Sequence, residues 1–274
     1  MRRGYREDPE TGDFPGERVF ESSIDVRYLL QDATDRPDTL AVVFSSAPPA
    51  GLPPRYRWHK FLSEFPCHRL FVLDDHGPRE PLPRPNWYLG RNRRFDAPDS
   101  ICDLIDRTAS ELGVDRAGLI TVGSSMGGWA ALYFGARVGA GDAIVGEPQT
   151  LLGSYLCGPA FHTLAEHIAG GSSPEDSDFL DAILFDAFRA AASPPHVHLL
   201  CGRESPYYER HVQPLVALLE DLEIGYELTL GENSEHNDIA IQFPPFLRGR
   251  LAELFRRTSP QPVSARGQGG GGAS

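Results

Sequence analysis

Six short apolar runs recur along the chain with helix-length stretches between them, and this alternation limits the possible folds more than any other feature. TLAVVFS (39–45), RLFVL (69–73), GLITV (118–122), AIV (143–145), VHLLC (197–201) and YELTL (226–230) are nearly continuous in apolar character. Strands covered by helices on both faces read this way, whereas a strand with one wet face alternates polar and apolar residues. Between the second and third runs, Ile101, Leu104, Ile105 and Leu112 share one face of a helix over 98–112, which Asp99 or Ser100 can cap. Val212, Leu215, Val216, Leu219 and Leu222 repeat the helical period after the fifth run, and 246–255 does so near the end. The pattern predicts an α/β fold, a mostly parallel central sheet with helices on both faces. Segments around Val19 and 26–30 read as an antiparallel hairpin at a sheet edge.

One stretch breaks the rhythm. Residues 146–195 hold two helix-period segments separated by GGSSPEDS, far more chain than the few residues that join neighbouring elements. Leu156, Phe161, Leu164 and Ile168 line one apolar side, and Phe179, Ile183, Leu184 and Phe188 another, so the stretch reads as a helical cap insertion over the sheet's C-terminal edge. The expected domain is residues 17–257, with flexible tails at 1–16 and 258–274, where Gly, Pro, Ser and charge dominate.

With 26 Lys and Arg against 38 Asp and Glu, the formal charge is −12, which disfavours a binder of nucleic acid or of an anionic membrane surface. No apolar run reaches the roughly 18–20 residues of a membrane span, and the first residues have no apolar core of a secretory signal, so a cytoplasmic location is expected. Cys67, Cys102, Cys157 and Cys201 lack metal-site spacing, predicting reduced, mostly buried thiols and no metal.

The sharpest chemical signal is Gly123-Ser124-Ser125-Met126-Gly127, set directly after GLITV and directly before the helix-forming GWAALYFGARV. A sharp strand-to-helix turn crowds the backbone, requires small flanking residues and lifts the serine clear of the sheet. Ser125 is the candidate nucleophile, and the Met126 N–H at the helix start is one candidate oxyanion donor. The second donor is expected from the loop after TLAVVF, from the N–H of Ser45 or Ser46. A serine nucleophile needs a base and an orienting carboxylate, which in an α/β-hydrolase chain follow it in the order acid, then histidine. His236, in GENSEHND past the last strand, is the expected base. His162 and His167 fall on the cap, and His196 and His198 flank or enter a strand, where structural roles are expected. Glu204, in CGRESPYYE after the penultimate strand, is the first choice of acid. Glu147, in VGEPQT, occupies the other strand end from which a carboxylate can reach, or contacts substrate beneath the cap together with Leu156 and Phe161. Glu209, Glu235 and Asp238 are nearby charges whose simpler reading is solvation. Asp74-Asp75-His76-Gly77 and the basic run Arg91-Asn92-Arg93-Arg94 are read as polar loops, the latter with an anion-receiving role as its alternative.

VVFSS, RLFVLDDHG, YLG, GSSMGGWAALYFG, VGEPQTLLGSYL and SEHNDIAIQFPPFL together resemble a bacterial α/β-hydrolase family associated with capsular polysaccharide biosynthesis. More distantly they are similar to the glycan O-acetyltransferase component of the accessory Sec system. The likeness runs over about residues 39–247 and implies a Ser-His-Glu triad at Ser125, His236 and Glu204. Glu147 stands where relatives tend to have a small residue, which leaves the acid open between it and Glu204. The expected function is a serine hydrolase or acyltransferase, with an acyl-enzyme on Ser125, acting on an ester, thioester or O-acyl group of a small molecule or glycan and needing no cofactor. The alternatives are a serine peptidase or peptide-tailoring hydrolase, or a non-catalytic binding protein on the same fold.

Overall fold

In a computed structural model, described over residues 14–258 except 50–51, 79–83 and 233–234, eight strands form one sheet. They are β1 (Arg18–Phe20), β2 (Val26–Gln31), β3 (Arg36–Phe44), β4 (Cys67–Val72), β5 (Leu119–Ser124), β6 (Asp142–Gly146), β7 (His196–Gly202) and β8 (Tyr226–Gly231). Their order is β1-β2-β4-β3-β5-β6-β7-β8. β2 pairs antiparallel with β1 and β4, giving the expected edge hairpin, and every pairing from β4 to β8 is parallel.

The helices are α1 (His59–Leu62), α2 (Asp96–Leu112), α3 (Met126–Val138), α4 (Leu152–Leu156), α5 (His162–Ala169), α6 (Pro174–Ala190), α7 (Gln213–Asp221) and α8 (Ile239–Thr258). Alternate strand residues enter two cores. Val42, Phe44, Val197 and Leu199 pack with α2, α3, α6 and α7, while Ala41, Val43, Ile144 and Leu200 pack with α1 and α8. Because β4 to β7 are covered on both faces, their side chains are nearly all buried, which is why those segments read as continuous apolar runs.

The excursion after β6 carries three helices rather than two. α6 begins with a capping box between Ser173 and Asp176 and has Pro174 in its first turn. Its Leu180, Ile183, Leu184 and Phe188 sink into the core on the α3 side, as do Leu156, Leu164 and Ile168, so most of the cap's apolar surface extends the hydrophobic core. Two members of the basic run have partners here. Arg93 bonds Asp176 at 2.8 Å and lies over the Phe179 ring, and Arg94 pairs with Asp96 at 3.2 Å. Phe14, which the sequence assigned to the N-terminal tail, is buried edge-on against Tyr56; residues 1–13 and 259–274, the rest of the expected tails, lie outside the described residues. All four cysteines are unpaired, Cys67 and Cys201 buried. No helix among the described residues is long and apolar enough to cross a membrane.

Candidate active site

Ser125 sits between the end of β5 and the start of α3 with φ 57° and ψ −125°, a conformation non-glycine residues rarely hold. The flanking glycines make it possible. A Cβ on Gly123 would lie 2.1 Å from the Gly127 carbonyl oxygen, and one on Gly127 would lie 2.3 Å from that of Phe44 on β3. The turn is fastened by Ser125 N–H donating to Gly146 O at 2.8 Å and by Trp129 N–H donating to Ser125 O at 3.1 Å. The hydroxyl therefore stands at the C-terminal edge of the sheet, where the first N–H groups of α3 have no intrahelical acceptor.

Ser125 Oγ is 2.8 Å from His236 Nε2, and His236 Nδ1 is 2.8 Å from Glu147 Oε2. His236 reaches this point because it opens a short 3₁₀ turn, His236–Asp238, that runs into α8. Ile239 and Phe243 of α8 seat against Gly146, where a Cβ would lie 2.7 Å from the Phe243 ring. The residue beside Glu147 thus receives the helix that follows His236.

The carboxylate facing His236 is that of Glu147, not Glu204. Glu204 is exposed in the loop after β7. Glu147 adopts φ 40° directly after β6 and is fully buried. Its N–H donates to Leu200 O at 2.9 Å, and its Oε1 accepts the Gly202 N–H at 2.9 Å, so both ends of the residue are tied to the neighbouring strand β7. The turn swings the side chain across the end of β7 and delivers Oε2 to the imidazole. Burial next to this carboxylate pushes the Cys201 thiol up to about 12, which keeps it a neutral neighbour. In sequence the available signal was a glutamate wedged between Gly146 and Pro148 at the end of an apolar strand. Glu209 and Glu235, the other nearby glutamates, are exposed.

Two further side chains belong to the site and were not singled out in the sequence. Gln149, 2% exposed, donates its Nε2–H to Ser125 Oγ at 2.7 Å and lies 3.4 Å from His236 Nε2. Tyr207 stacks flat on the His236 ring with centroids 3.9 Å apart and fixes its plane. Tyr207 continues to Tyr155, which stacks on Phe161, so the cap reaches the site through aromatic rings. Leu156 is fully buried in the α3-side core and is not part of that chain.

Of the two candidate N–H groups in the loop after β3, one is already engaged. The Ser45 N–H is already used, donating to the Tyr88 hydroxyl at 2.6 Å, and its Oγ accepts from Arg57 N–H at 3.0 Å. Ser46 anchors the loop to the elbow by donating its hydroxyl to Ser124 O at 2.9 Å, which leaves its backbone N–H as the candidate beside that of Met126. Asp74, at the end of β4, accepts the N–H groups of Asn86 and Tyr88 at 2.9 Å each, and burial raises it to about 7. Its role is to hold the loop carrying Tyr88.

Strand order, elbow turn and cap together define an α/β-hydrolase fold. Solved structures with this architecture include the capsule O-acetyltransferase of Neisseria meningitidis serogroup A, at TM-score 0.73 and 17% identity over 89% of this chain and 97% of that one. A chain of the glycosylation-associated Gap123 complex of Streptococcus agalactiae has TM-score 0.69 and 17% identity, covering 89% of this chain and 48% of that one. An S-formylglutathione hydrolase from Agrobacterium tumefaciens has TM-score 0.61 and 12% identity over 89% and 96%. No family model matches the chain, and no curated protein matches it in sequence.

Proposed function

We propose that the protein is a serine-dependent acyl-transfer enzyme in which Ser125 is the nucleophile, His236 the base and Glu147 the carboxylate that orients it. The observation that carries this reading is the continuous line from Ser125 Oγ through both imidazole nitrogens to Glu147 Oε2, with 2.8 Å at each step. Glu147 takes the Nδ1–H, so Nε2 faces the hydroxyl with its lone pair. Ser125 Oγ then bonds to the acyl carbon as its proton passes to Nε2. The carbonyl oxygen, now an oxyanion, is held by the N–H groups of Met126 and Ser46. Collapse expels the leaving group, which takes the proton from Nε2 and leaves acyl-Ser125. An acceptor hydroxyl, deprotonated by His236, attacks the acyl carbon; the Oγ–acyl bond breaks and Ser125 Oγ takes the proton back from Nε2.

With water as acceptor this is ester or thioester hydrolysis; with a sugar hydroxyl it is O-acylation. The sequence blocks shared with the capsule-associated family, and the likeness to an O-acetyltransferase whose structure was also solved with CoA, favour an acetyl group passing from a thioester to a glycan hydroxyl. Intact-mass measurement after treatment with a fluorophosphonate tests the nucleophile. One adduct mapping to Ser125 and lost in Ser125→Ala is expected; an adduct on Ser124, or one that persists in the alanine variant, refutes the assignment. Acetyl-CoA turnover with and without an oligosaccharide acceptor then separates transfer from hydrolysis.

A further inference from the structure

At the other end of the strands from Ser125, two histidines and a glutamate converge. His196 and His198 stand two residues apart on β7, so their side chains leave the same face, the one whose next member, Leu200, packs in the α8-side core. Glu227 on β8 is the register partner of His198, and Asp142 on β6 is that of His196. The side chain of His198 is only 2% exposed. Its Nε2–H donates to Asp142 Oδ1 at 2.7 Å, which fixes the tautomer and leaves Nδ1 as a bare lone pair. Among the described residues, neither that Nδ1 nor the buried Nε2 of His196 has a hydrogen-bond partner. Both look toward one oxygen, Glu227 Oε1, at 4.0 and 3.6 Å, while Arg250 holds the other carboxylate oxygen at 2.5 Å.

Two orphan imidazole nitrogens and a carboxylate oxygen, with an outer carboxylate locking one ring, are the ligand chemistry of a borderline transition ion. We propose that His196, His198 and Glu227 form a binding site for a divalent ion of the Zn²⁺ type, separate from the Ser125 centre. The three donor atoms lie within 4.8 Å of one another. Metal bonds of about 2.0–2.2 Å require them to close by about 1 Å, a movement shared between His196, 35% exposed, and Glu227, 45% exposed. Arg250 bridges Glu227 and Glu253, so the carboxylate of Glu227 is already turned toward the histidines through its other oxygen. A cleft of about 250 Å³, lined by Asp142, His196, Phe255 and Arg257 among others, gives access. The sequence alone suggested no metal because the third ligand joins only through strand pairing. Six residues of β7 separate His196 from the Glu147 end, about 20 Å of strand, so a bound ion would clamp β7 to β8 without meeting substrate.

Calorimetric titration of the metal-stripped full chain with ZnCl₂ at about pH 7.5 tests this. One ion per chain, a micromolar or tighter Kd and a rise in Tm are expected. Co²⁺ in its place should give visible absorption that Zn²⁺ abolishes. Glu227→Gln and His196→Gln, at partly exposed positions, should each weaken binding at least about tenfold, and Asp142→Asn about 10–100-fold. His236→Ala should leave stoichiometry and affinity unchanged, and fluorophosphonate should label Ser125 with or without the ion. Absence of saturable binding below about 1 mM overturns the proposal. So does binding that survives both Glu227→Gln and His196→Gln, or that is lost in His236→Ala.

Discussion

At the end of β5 the chain turns through Ser125 at φ 57°, and at the end of the adjacent β6 it turns through Glu147 at φ 40°. The two turns share an unfavourable backbone and differ in what holds it. Around Ser125 much of the constraint is short-range in sequence, since a Cβ on Gly123 would strike the Gly127 carbonyl four residues on, and β3 adds to it, since a Cβ on Gly127 would strike the Phe44 carbonyl. Around Glu147 it is long-range, because the N–H and the side chain are anchored on Leu200 and Gly202 of β7, more than fifty residues away. The proposed nucleophile is therefore placed mainly by a local motif, and its proposed acid by the assembled sheet.

The largest expected effect lies at the first turn. Ser125→Ala should lower kcat by about 10⁴–10⁶-fold with little change in folding, read by ester turnover and thermal melting. Gly127→Ala tests whether the close approach is obligatory: a methyl group driven into the Phe44 carbonyl should cost about 3 kcal/mol or more in denaturant unfolding. A melt indistinguishable from the parent would mean that the turn is not sterically fixed.

The segment after Glu147 docks on His211, where Thr150 Oγ1 donates to the His211 carbonyl at 2.6 Å and Leu151 N–H donates to Nδ1 at 3.3 Å. Burial, with Arg210 and His236 adding to it, pushes the His211 imidazole down to about 4. Between pH 6.5 and about 4 the unfolded chain takes up a proton there that the folded chain refuses, so this group makes stability fall as pH falls through that window. His211→Asn should remove up to about 3 kcal/mol of that pH dependence, measured as the difference between parent and variant across the window. A smaller effect is expected at Gln149. Gln149→Ala removes a donor to Ser125 Oγ and should reduce kcat by about tenfold while fluorophosphonate labelling persists.

Legibility in the sequence followed the same division. All six central strands and the edge hairpin stand where apolar runs placed them, because burial on both faces writes itself into contiguous residues. The pair Ser125 and His236, which the structure sets 2.8 Å apart, is legible because each lies just past a strand end in a recognisable local context. Sequence order favours Glu204 because it follows the penultimate strand, whereas the carboxylate that faces His236 stands on a left-handed Glu147 whose N–H and side chain are tied to β7. α8 was expected only from 246, since Pro244 and Pro245 read as a break, yet the helix begins at Ile239 and its first turns pack on Gly146. Gln149 and Tyr207 carry no sequence signal, since their roles come from facing Ser125 and His236 across the sheet edge.

The most direct test of this account replaces the two glutamates side by side. Glu147→Gln keeps an oxygen for Gly202 N–H but withdraws the charge from His236, so kcat should fall by about 10³–10⁴-fold while the melt shifts little. Glu204→Gln, at an exposed position, should stay within about twofold of the parent. A large loss of kcat in Glu204→Gln with near-parent turnover in Glu147→Gln would contradict the assignment and move the acid to the loop after β7.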